Sequence, residues 1–305
     1  MENNKSAILK GSEQSQESLV GVNTSELLET KPKLSGRYYS DALDDSQING
    51  IIRSINPHLL TLIGFSEFGK STFVASMYHR AMTQGQIDGY DFFDSDTFSG
   101  FERRAYIRDV GLKPNKRFNR TTTNEGYFLT MYFKKNNERL LLVISDRSGE
   151  TYRNEYTSNA EAVKADKSLI YSNHIVFFID VSVLMTNKNY LGFKSKFNSL
   201  ISRLYSADVF KNEKTIDVIF NKIDLLNEGD ENACQLFDSN AKEVIQIIEE
   251  ASQTRINRQF KICSNNMEDN HDLYEVFDYF VESCKFVNMP IATEIDWINT
   301  KVKGL

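Results

Sequence analysis

Short apolar runs alternate with longer amphipathic segments over most of the chain after residue 58. Apolar runs of this length predict buried strands, and apolar residues spaced three and four positions apart predict helices that cover them. The predicted strands are 59–63, 127–133, 139–145, 174–179, 215–220 and 259–263. The predicted helices are 71–82, 95–110, 190–205, 231–251 and 271–286. This alternation predicts an α/β fold with a mostly parallel sheet and helices on both faces.

The second and third predicted strands lie close together in sequence. Only the five polar residues 134–138 separate them, which is typical of a β-hairpin. We therefore expect one antiparallel strand beside the otherwise parallel sheet.

The two ends of the chain differ from this alternating part. Residues 1–38 are rich in Ser, Glu, Asn, Gln and Lys and show no period, which predicts a flexible tail. The tail has two open interpretations, an end without function or a segment that folds on a partner. Residues 289–305 carry an apolar stripe and predict an appended helix, which leaves 39–288 as one domain. Residues 42–55 predict an amphipathic segment packed ahead of the first strand.

Charge and composition narrow the classes of partner. The net charge is −6 and the pI is about 5.4, which gives no general electrostatic reason to bind nucleic acid or an anionic membrane. The three cysteines and four histidines show no metal-binding spacing, so we expect a reduced, cytoplasmic protein. The most apolar stretch, 175–185, contains Asp180 and is too short to cross a bilayer, so no transmembrane segment is expected.

A phosphate-binding loop follows the first predicted strand. Residues 64–72 read Gly-Phe-Ser-Glu-Phe-Gly-Lys-Ser-Thr and fit G-x-x-x-x-G-K-[ST]. The glycines let successive N–H groups and the start of the next helix point at one anion. Lys70 would reach the β- and γ-phosphates in both binding and catalysis, and the Ser71 hydroxyl would ligate Mg²⁺. The residues expected around the phosphates are Gly64, Glu67, Phe68, Gly69, Lys70, Ser71 and Thr72.

A second motif, Asp146-Arg147-Ser148-Gly149, ends the strand 139–145 and fits D-x-x-G. An acidic residue at the end of a buried strand can hold Mg²⁺ through water, and the Gly149 N–H can contact a γ-phosphate. Four-residue patterns are common by chance. The match at 146–149 is informative because it follows an apolar strand and lies downstream of the phosphate loop.

A third motif selects the base. Asn221-Lys222-Ile223-Asp224 directly follows the strand 215–220 and fits N-K-x-D. A carboxylate accepts two parallel hydrogen bonds from guanine, whereas adenine has no donors there and would leave Asp224 unpaired. Ser264 and Asn265 end the next strand, where a backbone N–H can meet the guanine carbonyl. GTP or GDP is the expected ligand. The alternative is an ATPase, such as a kinase, in which the match to the third motif would be a coincidence.

In this order, the motifs resemble those of translation-factor-like P-loop GTPases, the class that contains Ras-like and Arf-like proteins. The resemblance covers about residues 55–288. The aromatic helix after the phosphate loop and the run 146–150 are more similar to bacterial double-GTPase-type proteins, which are predicted components of conflict and antiviral systems. The resemblance implies a P-loop NTPase fold, Mg²⁺-dependent GTP hydrolysis, and a protein partner that reads switch loops at about 111–126 and 147–172. Whether the protein forms a homo- or hetero-oligomer stays an open question.

The resemblance also suggests hydrolytic residues. Thr121, Thr122 or Thr123 would complete the Mg²⁺ shell, and we favour Thr123. The alternative is that these threonines only form the start of the next strand. Arg120 has the spacing of the internal arginine finger of heterotrimeric G-protein α subunits, or is a solvated loop charge. Glu150 stands where Ras-like proteins carry a water-orienting glutamine, and either positions water or caps the next helix. Because its charge repels the γ-phosphate, a GTP-gated binding module with little hydrolysis is the alternative function.

An aromatic segment, 88–101, lies after the first helix. Its rings either form a partner surface or, as we favour for most of them, pack inside the protein.

Overall fold

The computed structural model of the chain describes residues 40–55, 57–108, 126–136, 138–211, 213–227, 231–265 and 271–284. All of them belong to one compact unit that spans residues 38–305. The predicted tail, 1–38, and the predicted appended helix, 289–305, lie outside the described residues.

One sheet forms the centre of the described part and has eight strands there. The strands are β1 (His58–Ile63), β2 (Gln86–Ile87), β3 (Tyr90–Asp94), β4 (Phe128–Lys135), β5 (Glu138–Ser145), β6 (His174–Asp180), β7 (Thr215–Asn221) and β8 (Arg258–Ile262). Their order is β2-β3-β4-β5-β1-β6-β7-β8. The run β5-β1-β6-β7-β8 is parallel, and β4 is antiparallel to β5. The mostly parallel α/β sheet with an antiparallel hairpin is therefore confirmed.

Helices cover both faces of this sheet. They are α1 (Asp45–Ile55), α2 (Lys70–Gln84), α3 (Phe98–Arg108), α4 (Ala160–Ala165), α5 (Lys167–Ile170), α6 (Asn187–Ser206), α7 (Asp224–Asn227), α8 (Glu231–Ser252) and α9 (His271–Glu282). The ring of Phe177 in β6 lies 6.1 Å from Phe197 of α6, whereas its neighbour Phe178 lies 5.1 Å from Phe73 of α2. Successive strand side chains point to opposite faces, so α2 and α6 lie on opposite sides of the sheet.

The amphipathic segment ahead of β1 packs as the sequence predicts. Ile48 of α1 is fully buried and joins Leu43, Leu59, Phe128 and Val143 in a small apolar cluster. This cluster lies on the face of β5 opposite to the one that carries Leu142 in the main core, because Val143 and Leu142 alternate along the strand. Helix α1 therefore closes part of the sheet that the later helices leave uncovered.

The hairpin connection is shorter than predicted. Lys135 pairs with Glu138 in the ladder, so the connection is reduced to positions 136 and 137 instead of the five polar residues 134–138. Asn136 has φ of 56°, the left-handed conformation that tight hairpin turns require. The polarity of the sequence predicted a loop that is too long, because the exposed ends of the two strands also carry charged residues.

The aromatic segment after α2 extends the sheet beyond the single antiparallel strand that the sequence predicts. Strand β3 pairs antiparallel with β4, and the short β2 pairs antiparallel with β3. The rings pack internally: Phe92 lies 5.7 Å from Phe133, and Phe101 of α3 stacks on Tyr78 at 4.7 Å. The rings therefore pack against the core, as we favoured, although only Tyr90 and Phe101 of the segment are buried and Phe92 is partly exposed.

The span 147–172, which we expected to be a switch loop, is largely helical. It holds a π-helix at Thr151–Glu155 and the short helices α4 and α5. Side chains of Asn159 and Asp166 cap these two helices by accepting hydrogen bonds from backbone N–H groups. Each helix is too short to show a clear apolar period, which explains why the pattern missed them. Among the described helices, none is long and apolar enough to cross a membrane.

Candidate functional site

The phosphate loop joins β1 to α2, as its sequence predicts. Gly69 has φ of 91°, and a Cβ atom there would lie 2.0 Å from the amide nitrogen of Asn221. Only glycine satisfies both conditions. Glu67 also adopts a left-handed conformation, with φ of 69°, and its side chain is exposed, while Thr72 is half-buried in the first turn of α2. The loop thus bends sharply into the helix start, the geometry that gathers N–H groups around an anion.

Lys70 is buried at the first position of α2. Its ammonium group donates hydrogen bonds to the carbonyl oxygens of Gly64 at 2.6 Å and Phe65 at 3.3 Å. Burial lowers the pKa of Lys70 to about 8, and the nearby charge of Asp146 opposes this shift. A buried ammonium held mainly by neutral carbonyls has a strong affinity for an added anion.

Ser71 and Asp146 meet although they are far apart in sequence. The Ser71 hydroxyl donates to Asp146 Oδ1 at 3.1 Å. The two meet because β1 and β5 are neighbouring parallel strands whose carboxyl ends share one edge of the sheet. A hydroxyl and a carboxylate suit Mg²⁺, which takes oxygen ligands and uses few carboxylates when phosphates complete its shell. The described residues contain no cluster of three or more His, Cys, Asp or Glu side chains that could hold a metal ion.

Arg104 is a member of this site that the sequence analysis missed. Its Nε donates to Asp146 Oδ2 at 2.6 Å, and its Nη1 donates to the carbonyl oxygen of Gly100 at 3.0 Å. The signal was available: Arg104 lies three residues after buried Phe101, on the inward face of α3. A charged residue on such a face needs a buried partner.

Asn221 ties the phosphate loop to the loop after β8. Its amide nitrogen donates to the carbonyl oxygen of Phe68 at 2.9 Å. Its amide oxygen accepts from both the backbone N–H and the hydroxyl of Ser264, each at 2.9 Å. Three segments that carry predicted nucleotide-binding residues are therefore held together by one side chain.

The remaining base-side residues surround this junction. Asp224 begins α7 and is exposed, as a residue that meets a ligand must be before binding. Lys222 has φ of 67°, and its ammonium group donates to Asp180 Oδ2 at 2.5 Å. Asn265 is exposed next to buried Ser264.

Phe68 contributes differently from the expectation. Its ring is buried against Phe65 at 5.7 Å and Phe193 of α6 at 6.0 Å, so it packs in the core instead of lining the phosphates. Its contribution to the site is the backbone carbonyl that Asn221 binds. A ring in a phosphate loop is explained here by the aromatic packing behind the loop.

The D-x-x-G segment lies directly against the phosphate loop. A Cβ atom at Gly149 would come within 2.3 Å of the Ser66 backbone nitrogen, so this contact requires glycine. Glu150 is exposed and makes no capping hydrogen bond with its side chain, which removes the helix-cap alternative. Arg147 forms an ion pair with buried Asp166, with 2.8 Å between Nε and Oδ2.

Tyr152 is a second residue that the sequence analysis missed. It is fully buried, and its ring centre lies 5.7 Å from the ammonium group of Lys70. Burial, followed by the charge of Asp166, raises the pKa of Tyr152 well above its usual value, so the phenol stays protonated. Its hydroxyl, Ser66 Oγ and Arg104 Nη2 are buried without a hydrogen-bond partner among the described residues. Unused donors beside Lys70 and Asp146 fit a ligand rich in acceptor oxygens, such as a nucleotide phosphate.

Arg120, Thr121, Thr122 and Thr123 lie outside the described residues, as do positions 111–125 of the first predicted switch. Their roles stay predictions.

Comparison with known proteins gives one family match. The sequence model described as Double-GTPase 2 matches residues 58–277. No curated protein gives a significant match.

Three solved structures are also similar to parts of this chain. Era, solved with MgGDPNP and nucleotides of 16S ribosomal RNA, is 15% identical over 76% of this chain, with a TM-score of 0.38. This chain covers 61% of that Era chain. A nucleolar GTP-binding protein 1 of Plasmodium falciparum is 19% identical over 75% of this chain and 88% of its own, with a TM-score of 0.38. A dimerization-deficient mutant of Toc33 from Arabidopsis thaliana is 10% identical over 80% of this chain and 93% of its own, with a TM-score of 0.43.

Proposed function

Since the chain belongs to the Double-GTPase 2 family, we propose that it binds GTP with Mg²⁺ and hydrolyses it to GDP and phosphate. The observation that carries this proposal is the junction at Asn221, which fixes the N-K-x-D loop beside the phosphate loop. A single nucleotide can then contact both, with its phosphates on the N–H groups of residues 64–72 and its guanine against Asp224. The backbone N–H of Ser264 is already bound to Asn221, so the exposed Asn265 next to it would close the base pocket.

Ser71 and Asp146 would hold the Mg²⁺ ion, which supplies charge neutralisation to the β- and γ-phosphates. Lys70 adds a further positive charge when it exchanges its carbonyl partners for phosphate oxygens. The Gly149 N–H would contact the γ-phosphate. Since Gly149 packs on the phosphate loop, a change at the phosphate passes directly to the segment that follows it.

The alternative function is a GTP-gated binding module with little hydrolysis. It is favoured by Glu150, which is exposed and negatively charged where a water-orienting residue is expected. A carboxylate there accepts a hydrogen bond from water but repels the γ-phosphate. In both functions, a protein partner would read the nucleotide state.

Competition between nucleotides tests the ligand. A fluorescent guanine nucleotide bound to the protein in the presence of Mg²⁺ should be displaced by GTP at a concentration about 100-fold lower than by ATP, because ATP leaves Asp224 unpaired. Equal displacement by ATP would favour the ATPase interpretation.

Phosphate release separates the two functions. Steady-state release with and without candidate partners identifies a GTPase, a partner-activated GTPase or a binding module. If Arg120 is an internal finger, Arg120→Ala slows single-turnover hydrolysis about tenfold or more, whereas the control Arg117→Ala does not. Equal rates for the two variants would remove Arg120 from the mechanism.

We further propose a cytoplasmic role in a bacterial conflict or antiviral system, on the resemblance of the 146–150 run and the aromatic helix to such proteins. The neighbouring genes test this role. A second GTPase or a nuclease-like effector next to this gene would support it, and translation or trafficking neighbours would oppose it.

A further inference from the structure

We propose that Arg104 is a built-in cation of the phosphate site that shares the charge of Asp146 with Mg²⁺. Guanine-nucleotide binding should therefore depend only weakly on Mg²⁺. This inference rests on the proposed function, since it concerns the same site, and it assigns a role to a residue outside the three sequence motifs.

The ion pair between Arg104 and Asp146 is deeply buried. Arg104 and Asp146 have side chains that are only 5% and 1% exposed, and their contact is 2.6 Å long. Asp146 is also the residue that would help hold Mg²⁺, through the oxygen that Ser71 contacts. One buried carboxylate thus faces two cations, and each lowers the gain from the other because like charges repel most strongly where water is excluded.

Arg104 also has unused hydrogen-bond capacity. Its Nε and Nη1 are occupied by Asp146 and Gly100, while Nη2 is buried without a partner among the described residues. A guanidinium group binds phosphate oxygens through such parallel donors. A hydrogen-bond acceptor on a bound ligand would pair with Nη2 and complete the hydrogen bonds of the Arg104 guanidinium group.

A purely structural ion pair in the same protein looks different. Arg80 joins α2 to α9 through Asp278 at 2.7 Å and the Tyr274 carbonyl oxygen at 2.8 Å, and its Nε donates to Gln84 of its own helix at 3.1 Å, so each of its nitrogens has a partner. Asp278 is 36% exposed and lies away from the phosphate loop. Arg80 therefore serves as a matched control for a partly buried arginine that only holds helices together.

The test measures the affinity for a fluorescent GDP in excess Mg²⁺ and in EDTA. For the wild-type protein, we expect the affinity to fall less than about tenfold in EDTA, since Arg104 continues to neutralise charge. In Arg104→Met the same ratio should rise by about tenfold or more, whereas Arg80→Met keeps the wild-type ratio. Arg104→Lys should restore most of the wild-type behaviour because it keeps the charge.

A second measurement uses Mg²⁺ without nucleotide. Millimolar MgCl₂ should raise the melting temperature of Arg104→Met more than that of the wild type, because Asp146 has lost its cation. This readout does not depend on activity.

The outcomes distinguish the two proposals. A wild-type protein that binds no GDP in Mg²⁺ contradicts the proposed function, and this inference falls with it. A wild-type protein that binds GDP in Mg²⁺ but loses about a thousandfold in EDTA overturns the role of Arg104 alone, even if the methionine variant does not fold. An unchanged ratio in folded Arg104→Met overturns it as well.

Discussion

The two ends of the candidate nucleotide site are built on different principles. At the base end, Asn221 uses its neutral amide to hold Phe68 and Ser264, and every bond of this junction is made within the protein. At the phosphate end, Lys70, Arg104 and Asp146 are buried charges, and several nearby donors have no partner among the described residues.

The base end therefore recognises its ligand by a fixed shape, whereas the phosphate end binds its ligand through charge. A junction of satisfied neutral hydrogen bonds keeps its geometry whether or not a ligand is present, which suits the recognition of a base. Buried charges with unused donors gain most when an anion arrives, which suits the binding of phosphates. We expect substitutions at the base end to remove recognition, and substitutions at the phosphate end to change the response to metal, pH and phosphate.

The largest effect should come from Asn221→Ala. It leaves the Ser264 N–H and the Phe68 carbonyl buried and unpaired, so guanine-nucleotide affinity should fall by about 100-fold or more. Titration of a fluorescent GDP measures this loss.

The matched control for Asn221 is Asn240→Ala. Asn240 is a buried asparagine in α8 whose amide donates to the Leu184 carbonyl at 2.8 Å, and it lies outside the predicted motifs. This variant should lose some stability and keep its nucleotide affinity. Equal loss of affinity in both variants would show that Asn221 acts through general stability.

The next effect tests how the phosphate end is anchored. Arg147→Met leaves the buried Asp166 carboxylate without its ion pair, so the free energy of unfolding should fall by about 3 kcal/mol in chemical denaturation. Arg258→Met is the control, because exposed Arg258 lies 4.3 Å from the Tyr279 ring much as Arg147 lies 3.8 Å from Tyr127. A loss from Arg147→Met no larger than that of the control would mean that the buried ion pair is not an anchor.

The smallest effect is a proton taken up at Lys70. Its pKa of about 8 leaves it half charged at pH 8 in the free protein, and bound phosphate should raise that pKa. Calorimetry of GDP binding in buffers of different ionisation enthalpy should therefore show an uptake of about half a proton at pH 8, and an affinity that falls as the pH rises above 8.

Lys214 provides an internal comparison for this titration. Burial also lowers its pKa to about 8, but it donates to the carbonyl oxygens of Leu169 and Ile170, away from the motifs. Lys214→Met should therefore retain the uptake, whereas Lys70→Arg, which stays charged, should remove it. Uptake that disappears in Lys214→Met instead would show that the proton binds to Lys214 and not to Lys70.

The sequence predicted those parts of the molecule that repeat a strong local pattern. The parallel strands are continuous apolar runs, and the phosphate loop has a fixed spacing, so both could be placed before the structure. Strands β2 and β3 could not, because β2 has two residues and two adjacent phenylalanines break the alternation in β3. Arg104 could have been marked as a buried charge from its place on the inward face of α3. Its partner Asp146, like the contact of Tyr152 with Lys70, is set only by the fold.

Nucleotide selection by Asp224→Asn tests the central claim, that this site reads guanine, most directly. Because Asp224 is exposed, the variant should fold with unchanged stability. An asparagine can no longer accept both guanine donors but can pair with the added carbonyl of xanthine. GTP affinity should therefore fall by about 100-fold while affinity for xanthosine triphosphate rises. A folded variant that still prefers GTP would contradict the account.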